Sequence, residues 1–251
     1  LFNRHGNSIS LTSEGELLLS YARKILSLYQ ELEDELNSLQ KNVTGHLRIG
    51  ASTTIAQYLL PRILAGFKKS HPDVQLTLIN GNTERIEQLL IESSIDIGMI
   101  EGNSTLPQLH YEPFVEDEIV LLTRTENQKF SATQIPLSAL KELSLVIRED
   151  GSGTLDIIEQ LLEAQGIRRR DWHIEVQLGS TESIKQYLMH SNAFAFLSIH
   201  TVVEELKSNK LRVIELEGRV ISRSLQFISL HGQHARLVNV FRQHCIRHYN
   251  R

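Results

Sequence analysis

Only one cysteine, Cys245, stands in the 251-residue chain, so no intrachain disulfide can form and a reducing cytosol is the expected compartment. No apolar run approaches the roughly 18 residues that a membrane-spanning helix needs, and no secretory leader pattern precedes the first motif. A soluble cytoplasmic protein with no membrane partner is expected. An excess of basic charge is also lacking: 26 Lys and Arg against 30 Asp and Glu leave a net charge of −4. The signatures of several chemistries are missing too. No GxGxxG, no P-loop GK[ST], no HExxH and no GxSxG occurs, which removes the sequence grounds for a dinucleotide site, a nucleotide phosphate cradle, a zinc protease or a nucleophile elbow. An enzyme is therefore not expected, nor a cofactor or a metal. What remains is ordinary globular composition, 41% hydrophobic and 22% charged, in a chain long enough for more than one compact unit.

Residues 13–41 contain no proline, and their only glycine, Gly15, falls in the first turn. Apolar residues at Leu18, Tyr21, Ile25, Leu28, Leu32, Leu36 and Leu39 recur at intervals of three and four, slipping by one residue after Leu32. At 1.5 Å per residue the pattern predicts a helix about 40 Å long. Thr12 or Ser13 can cap it, and Glu14 and Glu16 complement its positive end. So narrow a seam on so long a helix asks for a partner helix, and dimerisation is favoured over packing on its own domain. A short polar hinge, Asn42-Val43-Thr44-Gly45, follows.

Strands and helices alternate from there: LRIGA (47–51), a helix over 55–69, VQLTLIN (74–80), a helix over 83–93 and IDIGMI (95–100). Two adjacent strand-like runs, LHYEPFVE and DEIVLLTR, come next. A second series follows: SLVIR (144–148), a helix over 154–165, IEVQLG (174–179), a helix over 181–190, AFAFL (193–197) and a helix over 200–207. A strand, LQFISL (225–230), returns the chain to a final helix over 234–249. Apolar strands alternating with amphipathic helices predict an α/β fold built from βαβ units. Two such sets and a returning strand predict two lobes, 46–123 plus 226–251 and 124–225, with crossings near 122–125 and 225–229.

At several strand ends a small hydroxyl residue opens the next helix. LRIGA leads to Ser52-Thr53-Thr54, LVIRED to Gly151-Ser152-Gly153-Thr154, IEVQLG to Ser180-Thr181-Glu182-Ser183, and AFAFL to Ser198. Free backbone N–H groups and the helix dipole make such ends anion sites. Each taken singly is better explained as an N-cap; together they point to a shared anion pocket at the carboxyl ends of the strands. Arg148 ends a strand beside the Gly151 turn, where it either supplies a charge-assisted bond to an anion or pairs with Glu149 or Asp150. His231, His234, His244 and His248 surround the last helix and read as solvated, Cys245 as core packing, and Trp172, after Arg168-Arg169-Arg170, as a loop-surface residue.

The opening segment, LFNRHGNSISLTSEG, resembles the close of the winged helix-turn-helix in LysR-type bacterial transcription regulators, followed by the start of their linker helix. LRIGASTTIAQYLLPRILAGFKKSHPDVQLTLINGNTERIEQLL is similar to the first half of that family's effector domain, IDIGMIEG to its strand and hinge, and REDGSGT with LGSTESIKQYL to its second lobe. The resemblance covers almost the whole chain. It implies a two-lobed, periplasmic-binding-protein-like effector domain, preceded by a linker helix (13–45) and the wing (1–12) of a truncated winged helix-turn-helix. By the same resemblance Ser52, Thr53, Ser152, Thr154 and Thr181 bind a small anionic metabolite or inorganic oxyanion, with Glu101 and Gly102 lining the crossover side; Arg148, from its place at a strand end, and Gly153, which allows close backbone approach, are further candidates from the residues themselves. It implies promoter DNA as a partner, contacted by Arg4, His5 and Asn7, and a homodimer that assembles to a homotetramer. ASTTI, GNTE and REDGSGT look most like the branch sensing sulfur oxyanions or related metabolites. A solute-binding or transport-related module of the same two-lobed fold is the alternative.

Overall fold

The computed structural model describes residues 1–5, 8–15, 17–18, 21–22, 25, 43–102, 104–128, 133–232 and 235–249. At the start, β1 (Phe2–His5) and β2 (Ser8–Leu11) pair antiparallel, Arg4 opposite Ile9 and His5 opposite Ser8. Asn7 lies outside the described residues, as do Leu28, Leu32 and Leu36 of the predicted seam. Thr12 Oγ1 accepts a hydrogen bond from the Gly15 amide at 3.1 Å, the cap expected of this residue. Leu18, Tyr21 and Ile25 are helical, and each is more than half exposed.

The rest is built on one large sheet. β3 (Gly45–Ser52), β4 (Val74–Gly81) and β5 (Ile97–Glu101) run parallel in the order β4-β3-β5. Between them lie a π-helical stretch, Ile55–Leu59, then α1 (Leu60–Ser70) and α2 (Thr83–Ile91). Pro61 explains the break inside the single helix predicted over 55–69: it sits in the first turn of α1, where its missing N–H costs nothing. α2 starts on Asn82, whose side chain accepts from the Arg85 amide at 2.9 Å.

β6 (Leu109–Arg124) is one strand of 16 residues, where the sequence pattern gives two. Pro113, inside the first of those runs, sits beside a bulge: Pro113 pairs with Gln226 and Val115 with Leu225, leaving Phe114 over. The second half of the sheet adds β7 (Gln134–Ile135), β8 (Ser144–Arg148), α3 (Gly153–Glu163), β9 (His173–Leu178), α4 (Thr181–His190), β10 (Phe194–Ser198), α5 (Val203–Lys207), β11 (Leu211–Leu216), β12 (Ile221–Leu230) and α6 (Arg236–Tyr249). The helix predicted over 200–207 is cut short, because the 3-10 turn Ile199–Thr201 precedes α5.

β6 and β12 tie the halves together. β12 pairs with β5 through Leu225 to Ile228, and with β6 along its whole length. The far end of β6 pairs with β10 from Ile119 to Leu122 and with β11 from Leu121 to Arg124. Partners therefore change over residues 116–119 of β6 and 221–225 of β12, somewhat before the crossings read from the sequence at 122–125 and 225–229.

Each half buries apolar side chains on both faces of its strands. Ile49, Phe67, Met99, Phe227, Phe241 and Cys245 form one core of the first lobe, with Ile86, Leu90 and Ile228 on the opposite face. In the second lobe, Leu145, Leu162, Trp172 and Phe194 fill one side and Val146, Ile184 and Leu197 the other. Trp172 is thus a core residue, 8% exposed, not the loop-surface residue expected. The 3-10 turn Arg169–Asp171 aims it inward and leaves Arg169 outside to pair with Asp150 and Glu159. His244 is likewise buried, its ring edge-on to Phe67 and stacked on His248, so the solvated reading fails for it. Among the described residues no helix is long and apolar enough to cross a membrane.

Candidate functional site

The carboxyl ends of β3, β5 and β8 meet the starts of α2, α3 and α4 where the two lobes face each other. The lobes touch there. The Asn82 side chain donates to the Asp150 carbonyl at 3.1 Å, and the Glu84 amide to the Gly151 carbonyl at 3.4 Å. A Cβ on Gly153 would stand 2.1 Å from the Glu101 carbonyl oxygen, so no larger residue fits that crossing. Gly102 faces the same point with φ of +97°, a conformation glycine adopts without strain.

All the hydroxyl residues singled out by sequence are buried: Ser52, Thr53, Ser152, Thr154 and Thr181 are each at least 95% covered. They sort into two clusters. In the first, the buried Arg148 guanidinium reaches Thr53 Oγ1 from the opposite lobe and Thr181 Oγ1 from its own, both at 3.4 Å. Its Nε and Nη2 also grip Glu149, at 2.8 and 2.9 Å. Arg148 is therefore paired with Glu149, as one of its two sequence readings has it, but it is buried rather than solvated and also points into the interface. Among the described residues the Ser52 and Ser152 hydroxyls find no hydrogen-bond partner. Ser152 occupies the N-cap position of α3 without capping it, whereas Ser180 caps α4 by accepting from the Ser183 amide. The N-cap explanation thus accounts for Ser180 and leaves Ser152 over.

In the second cluster, Glu101 closes β5 and is itself an anion bound between the lobes. Its Oε1 accepts from the Thr54 amide at 3.0 Å, and its Oε2 from Thr154 Oγ1 at 3.0 Å and Arg223 Nη1 at 2.5 Å. Burial pushes the carboxyl up, but the Arg223 and Arg148 charges and the Thr54 bond outweigh it and hold it down at about 2. Arg223 also donates from Nε to Asp117 at 2.7 Å, and Asp117 accepts from Ser198 Oγ at 2.6 Å. Arg223 and Asp117 are a register pair on the two crossing strands.

Sequence reading missed Arg223, Asp117 and the backbone role of Thr54. Strand parity carries the available signal: Arg223 lies two residues from Ile221 and from Leu225, both buried, and Asp117 two before buried Ile119. A charge on the inward face of a strand needs a buried partner. A third contact at the rim was missed as well. The Tyr58 hydroxyl of the first lobe donates to Glu182 on α4, and Lys185 Nζ approaches the same hydroxyl at 3.3 Å and Glu205 at 2.9 Å. Burial, and Glu182 beside it, push the Tyr58 phenol up.

The geometry is that of a two-lobed clamp whose inner surface is rich in buried donors. The model of the LysR substrate binding domain matches residues 40–250. Among curated relatives, the HTH-type transcriptional regulator CysL of Bacillus subtilis is 28% identical over 228 residues, covering 91% of this chain and 75% of that protein. A probable RuBisCO transcriptional regulator of Trieres chinensis is 31% identical over 237 residues, covering 91% and 76%. Among solved structures, the Synechocystis CcmR regulatory domain in complex with 2-PG superposes with a TM-score of 0.74 at 25% identity, over 81% of this chain and 97% of that one. The periplasmic-binding-protein-like two-lobed fold implied by the sequence is therefore present, and this chain belongs to the LysR family of transcriptional regulators, carrying its substrate-binding domain.

Proposed function

We propose that the interlobe cleft binds a small anionic effector at Ser52, Thr53, Arg148, Ser152 and Thr181, and that Glu101, Gly102, Gly153 and Thr154 form the lobe contact beside it. The observation that carries this is a pair of buried hydroxyls without partners, Ser52 of one lobe and Ser152 of the other, in an interface that also holds the buried Arg148 guanidinium. Leaving buried donors unmade is costly, roughly 1–3 kcal/mol each. An oxyanion between the lobes satisfies both and gains a charge-assisted bond to Arg148. The 2-PG complex of the Synechocystis neighbour supports an anionic ligand for this fold. Sulfur oxyanions are the first candidates here, on the likeness to CysL and the ASTTI, GNTE and REDGSGT segments.

An effector held by both lobes favours one lobe orientation over another, by as much as its affinities for the two differ. Leu18, Tyr21, Ile25, Leu28, Leu32 and Leu36 pair two subunits, which assemble further to a tetramer, and transmit that orientation to promoter DNA. Arg4, His5 and Asn7 of the wing contact the DNA beside a recognition helix. Titration calorimetry with sulfate, sulfite, thiosulfate, O-acetylserine, 2-PG and simple carboxylates tests the cleft. Ser52→Ala and Ser152→Ala are each expected to weaken the preferred anion about tenfold. Unchanged affinity in both variants removes the site.

A further inference from the structure

Resting on the cleft reading above, we infer that Glu149 is a built-in competitor for the effector's anionic head. Arg148 presents its fork to this carboxylate, Nε to Oε2 at 2.8 Å and Nη2 to Oε1 at 2.9 Å. That bidentate geometry is the one in which an arginine receives an external carboxylate, sulfate or phosphate. The same guanidinium reaches the Thr53 and Thr181 hydroxyls only at 3.4 Å, beyond the usual range for such bonds. Glu149 therefore occupies the Nε/Nη2 edge of Arg148, one of the two edges on which a guanidinium receives two oxygens, and neutralises the charge that an effector would use.

Three carboxylates stand against the two buried arginines of the interface, and only this one is free to leave. The Glu101 and Asp117 side chains are 2% and 0% exposed, and each has a hydrogen-bond donor besides Arg223. The Glu149 side chain is 27% exposed, and among the described residues its carboxylate accepts from Arg148 alone. The residue beside that carboxylate is Gly179, whose own Cβ, were there one, would come no nearer than 3.9 Å. Rotation of one side chain takes Glu149 into water. An arriving anion then meets Arg148, Ser52 and Ser152 without a like charge on the same fork. If Glu149 stays, the anion enters beside an already neutralised arginine and is repelled. The ligand class follows: a head group offering two oxygens to one guanidinium, planar carboxylate or tetrahedral oxyanion, that outcompetes an internal carboxylate.

Calorimetry on the full chain at constant ionic strength separates the possibilities, with inorganic sulfate, inorganic phosphate and acetate as probes and Glu149→Gln, Arg148→Gln and the double variant as samples. Glutamine keeps the size of the side chain and loses its charge, so E149Q is expected to bind the preferred anion about tenfold more tightly. That gain should vanish in R148Q/E149Q. Sulfate and phosphate gaining where acetate does not identifies a tetrahedral head group; the reverse identifies a carboxylate. Equal or weaker binding by E149Q, with binding still lost in R148Q, overturns the competitor role and leaves the cleft standing. If no probe binds in an Arg148-dependent way to either the parent chain or E149Q, the cleft reading fails and this inference with it.

Discussion

Replacing Arg223 by methionine preserves most of the side chain's length and removes its charge, which isolates the ionic contribution at the junction of the lobes. In the folded chain its guanidinium is fully buried between Glu101 and Asp117, themselves 2% and 0% exposed. R223M leaves both carboxylates in the interior with no counter-charge on the crossing strands. Breaking a buried ion pair from one side costs about 3–5 kcal/mol. The acidity of Glu101 gives a second route to the magnitude. A carboxyl held at about 2 in the folded chain against 4.5 ordinarily contributes, at about 1.4 kcal/mol per pH unit, about 3 kcal/mol. For a chain of this size each kcal/mol moves the unfolding midpoint by about 2–4 °C, so R223M should melt roughly 6–20 °C lower at neutral pH.

The acid limb tests the same reasoning independently. Because the folded-state pKa of Glu101 is depressed, its contribution is complete above the ordinary carboxyl range and disappears as pH falls through 4.5 towards 2. In R223M burial dominates at Glu101, and that acid-dependent loss should shrink or reverse sign. Circular dichroism melts of both chains between neutral pH and the acid limit read both quantities. E101Q/D117N/R223M, which removes all three charges together, should recover much of the lost midpoint. A midpoint for R223M within about 2 °C of the parent, far below the roughly 6–20 °C expected, together with an unchanged acid limb, refutes the claim that this charge cluster holds the lobes together.

Two further outcomes follow from the geometry. Gly153→Ala places a methyl group 2.1 Å from the Glu101 carbonyl oxygen, and the lobes must part to admit it. Overpacking of this kind costs about 1–3 kcal/mol or more, and the variant should lose both thermal stability and anion binding, read by melting and calorimetry; parent-like values in both show that the lobes are not in contact there. Burial pushes the Cys245 thiol up to about 12, so an aromatic disulfide reagent at mildly alkaline pH should label the native chain roughly 100-fold more slowly than the denatured chain. Equal rates place this thiol at the surface.

Much of the fold was legible because strands buried on both faces read as near-continuous apolar runs. LRIGA, SLVIR and AFAFL became β3, β8 and β10 within a residue or two of the predicted limits, and VQLTLIN, whose apolar residues alternate, became the edge strand β4. β11 escaped because Arg212 and Glu215 interrupt LRVIEL, although Leu211 and Val213 pack on one core and Ile214 and Leu216 on another. β6 was read as two runs meeting at Glu116 and Asp117, within three acidic residues in a row; that the chain continues there as one strand depends on its partners on β12, Ser222 to Ser224, more than 100 residues further on. Trp172 was misplaced for a related reason. Three arginines in a row argue for surface, yet a 3-10 turn can leave them outside while turning the next residue inward, and local composition does not report the direction of a turn.

The site divides along the same line. Hydroxyls at strand-to-helix junctions are local features, so Ser52, Thr53, Ser152, Thr154 and Thr181, with Arg148, could be singled out as candidates from the sequence, and the structure buries them where the lobes meet. The charge cluster is not local: Arg223 bonds to Asp117 across 106 positions and to Glu101 across 122. No spacing rule joins residues so far apart. Each does betray itself singly, since Arg223 follows buried Ile221 at the strand period and Asp117 precedes buried Ile119 in the same way. A lone inward charge is forbiddingly costly, and two of opposite sign on the strands that link the lobes imply each other, though Arg223 precedes the strand predicted over 225–230. The pairing partner of a buried charge can thus be sought by sign and strand parity before any contact is known. Glu101, which ends an otherwise apolar buried strand, completes the set by the same rule. That places a fully buried charge cluster at the crossing strands, where any change in lobe orientation must either carry it along or break it.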